Sequence, residues 1–156
     1  MANDISTMSQ MFNAQKGLLM IASIVDDTSK EIAERAKKNI EGNHSVDTGA
    51  LHDSVKSEWK GSRSGKFEIT VSANALSENG QAYGRFLEYG TGIYNEWGNG
   101  RQTPWKYKDR HGKWHTTQGM THRPFVRPAI EETLSDYLPS HMQAAADFTP
   151  DGWRTT

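Results

Sequence analysis

The first forty residues carry apolar side chains at the spacing of an α-helix. Oppositely charged residues stand four positions apart on the other side of the segment, as Glu31 and Arg35 do. The pattern predicts a long amphipathic helix from about position 9 to 40, ending near Gly42. The row of apolar side chains along this helix, its stripe, is longer than a core of this size usually covers. The helix therefore either lies across its own sheet or packs part of the stripe on a neighbouring subunit. The stripe consists of Leu18, Ile21, Val25, Ile32, Ala36 and Ile40.

Two segments with strand-like composition follow, at 54–60 and 66–73, separated by a polar stretch rich in glycine and serine. In the second, Phe67, Ile69 and Val71 alternate with polar residues, which is typical of a strand with one buried face. The pair therefore predicts an antiparallel hairpin. The apolar segment 83–92, ended by glycines, predicts a further strand, entered through a helical turn.

A long polar excursion occupies about 93–122. Alternating residues on either side of an Asp/Gly turn predict a second, projecting hairpin at 105–116. From Arg101 to Arg127 seven basic residues face one acid, Asp109, which leaves a charge of +6. The candidate interface residues, facing DNA or another subunit, are Arg101, Trp105, Lys106, Tyr107, Lys108, Arg110, Lys113 and Trp114.

Two interpretations of this basic, aromatic hairpin remain open. The cations and rings are suited to nucleic acid, with charge on phosphate and rings available for stacking. They equally suit a solvated hairpin with aromatic cross-strand pairs. The C-terminal segment carries the opposite charge. From Glu131 to the end there are five acidic residues and one basic residue, Arg154, which gives a net charge of −4.

The C-terminal part of the chain predicts one more helix. Pro128 suits its first turn, and Ile130, Leu134 and Leu138 share one face. Pro139 is expected to stop or kink it.

Length and composition indicate a single α+β domain, because 156 residues can bury one core. We expect a long N-terminal helix on a small antiparallel sheet, with the hairpin and a C-terminal helix. The predicted divisions are a flexible arm at 1–8, a domain at 9–147 with the hairpin insertion at about 93–122, and a tail at 148–156. A mean hydropathy of −0.78 indicates polar loops or subunit interfaces.

Candidate chemistry is sparse. The segment Asp47-Thr48-Gly49-Ala50 matches the turn of retroviral-type aspartic proteases, but the polar residues before it do not suit the buried strand that this turn requires. Asp47 and Thr48 are instead predicted to cap a short helix that contains Leu51. His111, His115 and His122 lack the cysteines or helical spacing of a zinc site. We therefore expect no catalytic residue, metal or cofactor, and the absence of cysteine is compatible with a reducing cytosol.

Three segments, taken in order, resemble a family of tailed-bacteriophage morphogenesis proteins, the head-to-tail joining or tail-completion proteins related to the minor tail protein Z group. They are 46–55 (VDTGALHDSV), 83–91 (YGRFLEYGT) and 123–129 (RPFVRPA). The similarity runs from about position 46 to 138.

The resemblance implies a non-enzymatic virion protein that assembles in the host cytoplasm into a ring at the phage neck. A six-fold or twelve-fold ring is expected between portal-side connector or stopper proteins and the tail terminator or tail tube, with DNA passing through its lumen and no membrane contact. The resemblance also implies that the shared segments are structural. A tail terminator that caps the tube is the alternative role, and an aspartic protease using Asp47 is the alternative of another class.

Overall fold

A computed structural model describes residues 2–43, 45, 49–62, 65–77, 80–109 and 111–147, with the backbone alone at 2–13 and 147. The first element is the predicted long helix, α1 (Ala2–Gly42). Its backbone begins seven residues before the predicted start and includes positions 2–8, which the sequence assigned to a flexible arm. Adding a turn to an existing helix costs far less than starting one, so a weak helix-forming segment can continue a strong one.

The predicted first hairpin follows a single short helix, α2 (Ala50–Ser54). Strands β1 (Val55–Gly61) and β2 (Phe67–Ala73) pair antiparallel, from Val55 opposite Ala73 to Gly61 opposite Phe67. Ile69 and Val71 pack on the core while their polar neighbours Glu68 and Thr70 are exposed, as the alternation predicted. The predicted cap residues Asp47 and Thr48 lie outside the described residues.

The core lies between the C-terminal half of α1, the first sheet and the last helices. Contacts of α1 are made mainly with β1 and with α4 (Val126–Glu132). The buried apolar residues that meet there are Ile32, Ala33, Ala36, Ile40, Leu51, Val55, Ala75, Leu87, Phe125 and Ala129.

The segment predicted as a third strand is a helix, and that prediction was wrong. Helix α3 (Gly84–Tyr89) is followed by a 3-10 turn (Gly92–Tyr94). Its buried residues are Gly84, Leu87 and Glu88, which is the three-and-four spacing of a helix rather than the alternation of a strand. A short apolar run supports either structure until its packing partners are known.

The second hairpin consists of β3 (Trp105–Lys108) and β4 (Trp114–Thr117), which pair with each other to form a separate two-stranded sheet. They make few contacts with the other described elements, so the hairpin projects as predicted. The long N-terminal helix, small antiparallel sheets and C-terminal helices confirm the predicted α+β fold.

The C-terminal helix runs past Pro139 rather than stopping there. Helix α4 leads through a π-helical turn (Thr133–Tyr137) into α5 (Leu138–Asp147). The wider turn just before the proline accommodates a ring that would collide with the preceding carbonyl in a regular helix. Buried Thr133 donates a hydrogen bond from Oγ1 to the Ala129 carbonyl at 2.7 Å. No helix in the described part of the chain is long and apolar enough to cross a membrane.

Candidate interaction surface

The second hairpin has two chemically different faces. Cross-strand partners share a face of a sheet, and here Trp105 pairs with Thr117 and Tyr107 with His115. The opposite face carries Lys106 beside Thr116 and Lys108 beside Trp114. Trp105 and Trp114 therefore point to opposite sides and cannot be buried together against one flat partner surface.

The outer face, defined by Lys106, Lys108, Trp114 and Thr116, is basic and open. All four residues are exposed, and the Trp114 side chain keeps 65% of its surface accessible. Lys113, in the turn, is exposed as well. Two of the outer-face residues are cations and one is a large ring, so this surface has the composition that contacts phosphates and stacks on bases.

Asp109 fixes the turn of the hairpin. Its Oδ1 accepts hydrogen bonds from the backbone N–H groups of His111 and Lys113, both at 2.9 Å. Its Oδ2 lies 2.7 Å from His115 Nε2. The hydrogen bond with His115, followed by that from the Lys113 N–H, lowers the pKa of Asp109 below its ordinary value. The one acid of the basic excursion is thus used to hold the loop in shape.

The inner face of the hairpin forms one wall of an apolar groove against α3. The groove has a volume of about 560 Å³. Phe86 and Tyr107 stand on opposite walls and leave 40% and 47% of their surfaces exposed. The lining residues are Tyr83, Phe86, Leu87, Thr91, Trp105, Tyr107, Thr117, Gly119 and Met120.

Backbone contacts join the base of the hairpin to the segment after α3. Thr91 N–H donates to the Met120 carbonyl at 2.9 Å, and Ile93 N–H donates to the Gln118 carbonyl at 3.0 Å. Gly92 has φ +60°, and a Cβ there would overlap the Gln118 carbonyl oxygen. The two segments can approach this closely because glycine has no side chain.

Glu88 connects α3 to the beginning of α4 through hydrogen bonds of its side chain. The side chain is buried, and its Oε2 accepts hydrogen bonds from the N–H groups of Phe125 at 2.8 Å and Val126 at 3.0 Å. Its Oε1 accepts from the Arg127 N–H at 3.1 Å. A carboxylate at this position satisfies the free amides of the first turn of α4 and complements the helix dipole.

Arg127, which bonds to Glu88, also contacts a cluster of aromatic and charged side chains. Its Nη1 donates to Glu96 Oε1 at 2.9 Å, and its Cζ lies 5.1 Å from the centre of the Tyr89 ring. The hydrogen bonds that Arg127 donates to Glu96, first, and to Glu88 raise the pKa of Arg127. Tyr89 packs on Trp97 with ring centres 4.3 Å apart, and Arg85 lies over that tryptophan. The segments at 83–91 and 123–129 thus contact each other in the fold.

The predicted interface residues are divided by this geometry. Trp105 and Tyr107 line the groove, whereas Lys106, Lys108 and Trp114 lie on the outer face. Arg101 is placed over the Trp105 ring, 5.6 Å from its centre, while Arg110 lies outside the described residues. Sequence reasoning missed Glu88 and the groove residues of α3. A lone acid inside the apolar run FLEYG was the available signal, since a buried carboxylate requires donors.

The described residues contain no group of three His, Asp or Glu side chains that could hold a metal ion. His115 is engaged by Asp109 and stacks on Tyr107, with ring centres 5.4 Å apart. Asp47, the residue on which a protease would depend, lies outside the described residues.

Comparison with protein families gives one match. Residues 4–90 match the model of the HK97-gp10-like family, described as "Bacteriophage HK97-gp10, putative tail-component". The matched region includes α1 and the segments at 46–55 and 83–90, and it ends before the second hairpin and the segment at 123–129. No curated protein and no solved structure matches the chain significantly.

Proposed function

Because this chain belongs to the HK97-gp10-like family of bacteriophage tail components, we propose that it is a structural subunit of the phage neck. Copies of it assemble into a ring that joins the portal-side connector or stopper proteins to the tail. The protein acts through surfaces rather than through a reaction, and it becomes part of the virion.

The observation that carries this proposal is the projecting hairpin with its basic outer face. Lys106, Lys108 and Trp114 are exposed on a two-stranded sheet that stands apart from the core. In a ring each hairpin is repeated by symmetry, so the positive potentials add and favour DNA that passes along the axis.

Exposed apolar side chains support assembly. Three neighbouring apolar residues of α1, Leu18, Leu19 and Ile21, keep 46%, 65% and 40% of their surface accessible. Exposed apolar side chains that lie together mark surfaces that become buried on association, whereas single ones are normal on a monomer.

The test is to remove the protein from its phage and examine the particles by electron microscopy. We expect DNA-filled heads and tails of normal length that fail to join, and we expect the wild-type protein to appear as a closed ring at the junction. Tails of uncontrolled length would instead indicate the alternative role, a terminator that caps the growing tube. Normal infectious particles without the protein would overturn both roles.

A further inference from the structure

The apolar stripe of α1 continues beyond the body of its own domain. Among the side chains of α1 that the structure describes, from Ala14 onward, the first buried one is Ile24, and those before it are half-buried or exposed. Leu18 and Ile21 are 46% and 40% exposed, and Leu19, beside the stripe, is 65% exposed. Large apolar side chains therefore occupy a part of the helix that the described core does not cover.

The groove between α3 and the hairpin is the complementary feature. It is concave and apolar, and one wall is aromatic. Phe86 and Tyr107, on its opposite walls, are both exposed. A helix that places apolar side chains three and four residues apart is the shape that fills such a groove.

The stripe cannot reach the groove of its own chain. Asn39, near the end of α1, donates to the Phe125 carbonyl at 3.1 Å, and the neighbouring Arg123 N–H donates to the carbonyl of Leu87, which lines the groove. The groove thus lies near the C-terminal end of α1. Ile21 is eighteen residues earlier, about 27 Å along a continuous helix.

From these two surfaces we propose that the exposed stripe of α1 (Leu18 and Ile21) docks into the α3–hairpin groove of a second copy of this chain. The inference rests on the proposed ring and names the contact that builds it. Each copy then offers one stripe and one groove, so the contact is head-to-tail and propagates until the ring closes.

Charge at the edges of the two surfaces favours the same pairing. Exposed Asp27 follows the stripe within two turns of the helix, while its neighbour Asp26 is engaged by Lys30 and by Trp59 Nε1 of its own chain. On the other surface Arg85 precedes Phe86 in α3, and Arg101 lies over the Trp105 ring of the groove. In the proposed contact Asp27 lies beside the stripe and these two basic residues lie beside the groove, which favours one direction of the docked helix.

The decisive experiment mixes two variants that are each defective on one side only. Leu18→Asp with Ile21→Asp disables the stripe, and Tyr107→Asp disables the groove. We expect each to be monomeric by mass photometry under conditions in which the wild type forms rings. Mixed in equal amounts they should form a dimer and nothing larger, because one intact stripe and one intact groove remain.

Matched controls place the same charge on the other side of each element. Ser23→Asp lies on the exposed polar side of α1, and Thr116→Asp lies on the outer face of the hairpin. Both should assemble like the wild type. Circular dichroism of all variants should match the wild type, which separates a lost contact from a lost fold.

Cross-linking identifies the contact directly, since the chain contains no cysteine. Leu19→Cys combined with Tyr107→Cys should give a ladder of multimers with a short bismaleimide, while each single variant should give none. Dimers from Leu19→Cys alone would show that stripes pair with stripes and would overturn the docking.

The outcomes of these experiments also distinguish a failure of the proposed docking from a failure of the proposed function. Rings that still form from both defective variants would overturn the docking and leave the neck role standing. A wild-type chain that stays monomeric and never enters particles would overturn both.

Discussion

Arg127 donates three hydrogen bonds to Glu88, of which two reach its Oε1, from the backbone N–H at 3.1 Å and from Nε at 3.0 Å. The third runs from Arg127 Nη2 to the Glu88 carbonyl oxygen at 3.0 Å. A single pair of residues therefore fixes the end of α3 against the beginning of α4.

Removing the Glu88 carboxylate should be among the most destabilising changes in the chain. Glu88→Ala leaves the first amides of α4 without an acceptor and a guanidinium without its buried partner, which should cost roughly 3 kcal/mol in the free energy of unfolding. Glu88→Gln keeps an acceptor oxygen and should cost less. Urea denaturation measures both, with Glu96→Gln as the control, because its contact with Arg127 is exposed and should matter little. Equal effects of Glu88→Ala and Glu96→Gln would contradict this role.

The energetic cost of a side chain in the close contact at Gly92 can be measured separately from the cost of its positive φ. Gly92→Ala and Gly98→Ala both place a side chain at positive φ, which costs about 1–2 kcal/mol. Gly98 has φ +68° and open space around it, whereas a Cβ at Gly92 meets the backbone at Gln118. Gly92→Ala should therefore cost roughly 1–3 kcal/mol more than Gly98→Ala. Thermal denaturation of the pair measures the difference, and identical values would show that the contact is not tight.

Reversing the charge of the hairpin should affect DNA rather than folding. The variant Lys106→Glu, Lys108→Glu, Lys113→Glu changes exposed side chains alone, so rings should form normally while particles retain less DNA. The control makes the same change on the first hairpin, at Lys56, Lys60 and Lys66, all of them exposed. Loss of the ring in the first variant would show that the outer face contacts protein. Normal assembly, DNA retention and infection would show that it is dispensable.

Acid should loosen the contact between α1 and the C-terminal helix. Arg35 Nη1 lies 3.0 Å from Asp136 Oδ1, and this contact lowers the pKa of Asp136 below its ordinary value of 3.8. A lowered pKa means that the unfolded chain binds the proton more readily. The stabilisation is therefore present above about pH 4 and is lost as the pH falls through the lower folded value. Asp136→Asn should flatten the decline in stability between pH 5 and pH 2, measured by urea denaturation. An unchanged slope would assign the acid sensitivity to other carboxylates.

Periodicity predicted the parts of the fold that depend on one face being buried. The stripe from Ile32 to Ile40 and the alternation of Phe67, Ile69 and Val71 each require a partner surface, and their apolar positions recur at every helical turn or every second strand residue. The segment at 83–92 is too short for its apolar positions to show such a period. Its helix is decided by distant residues, since Gly84 packs against the Ala73 carbonyl and Glu88 receives donors from a segment almost forty positions later.

The same reasoning explains what was predicted of the candidate surface. Composition identified the hairpin as basic and aromatic, but the choice of face depends on the register between the strands. Composition does not distinguish Trp105 from Trp114, whereas pairing with Thr117 and with Lys108 places the two rings on opposite sides of the sheet. The groove was not predictable from sequence, because it is formed by α3, which had been assigned to a strand.

The glycine contact at the base of the hairpin allows the sequence of the loop to change without a change in the direction of the loop. Backbone atoms of Thr91, Gly92, Gln118 and Gly119 determine where the strands leave the domain. One strand side chain, Thr117, takes part as well, because its Oγ1 donates to the Gly119 carbonyl at 3.1 Å and accepts from the Gly119 N–H at 3.0 Å. Length, charge and aromatic content between positions 106 and 116 can therefore vary while the direction of the loop stays the same. One scaffold can in this way present different loops to different genomes or tails without having to repack its interior.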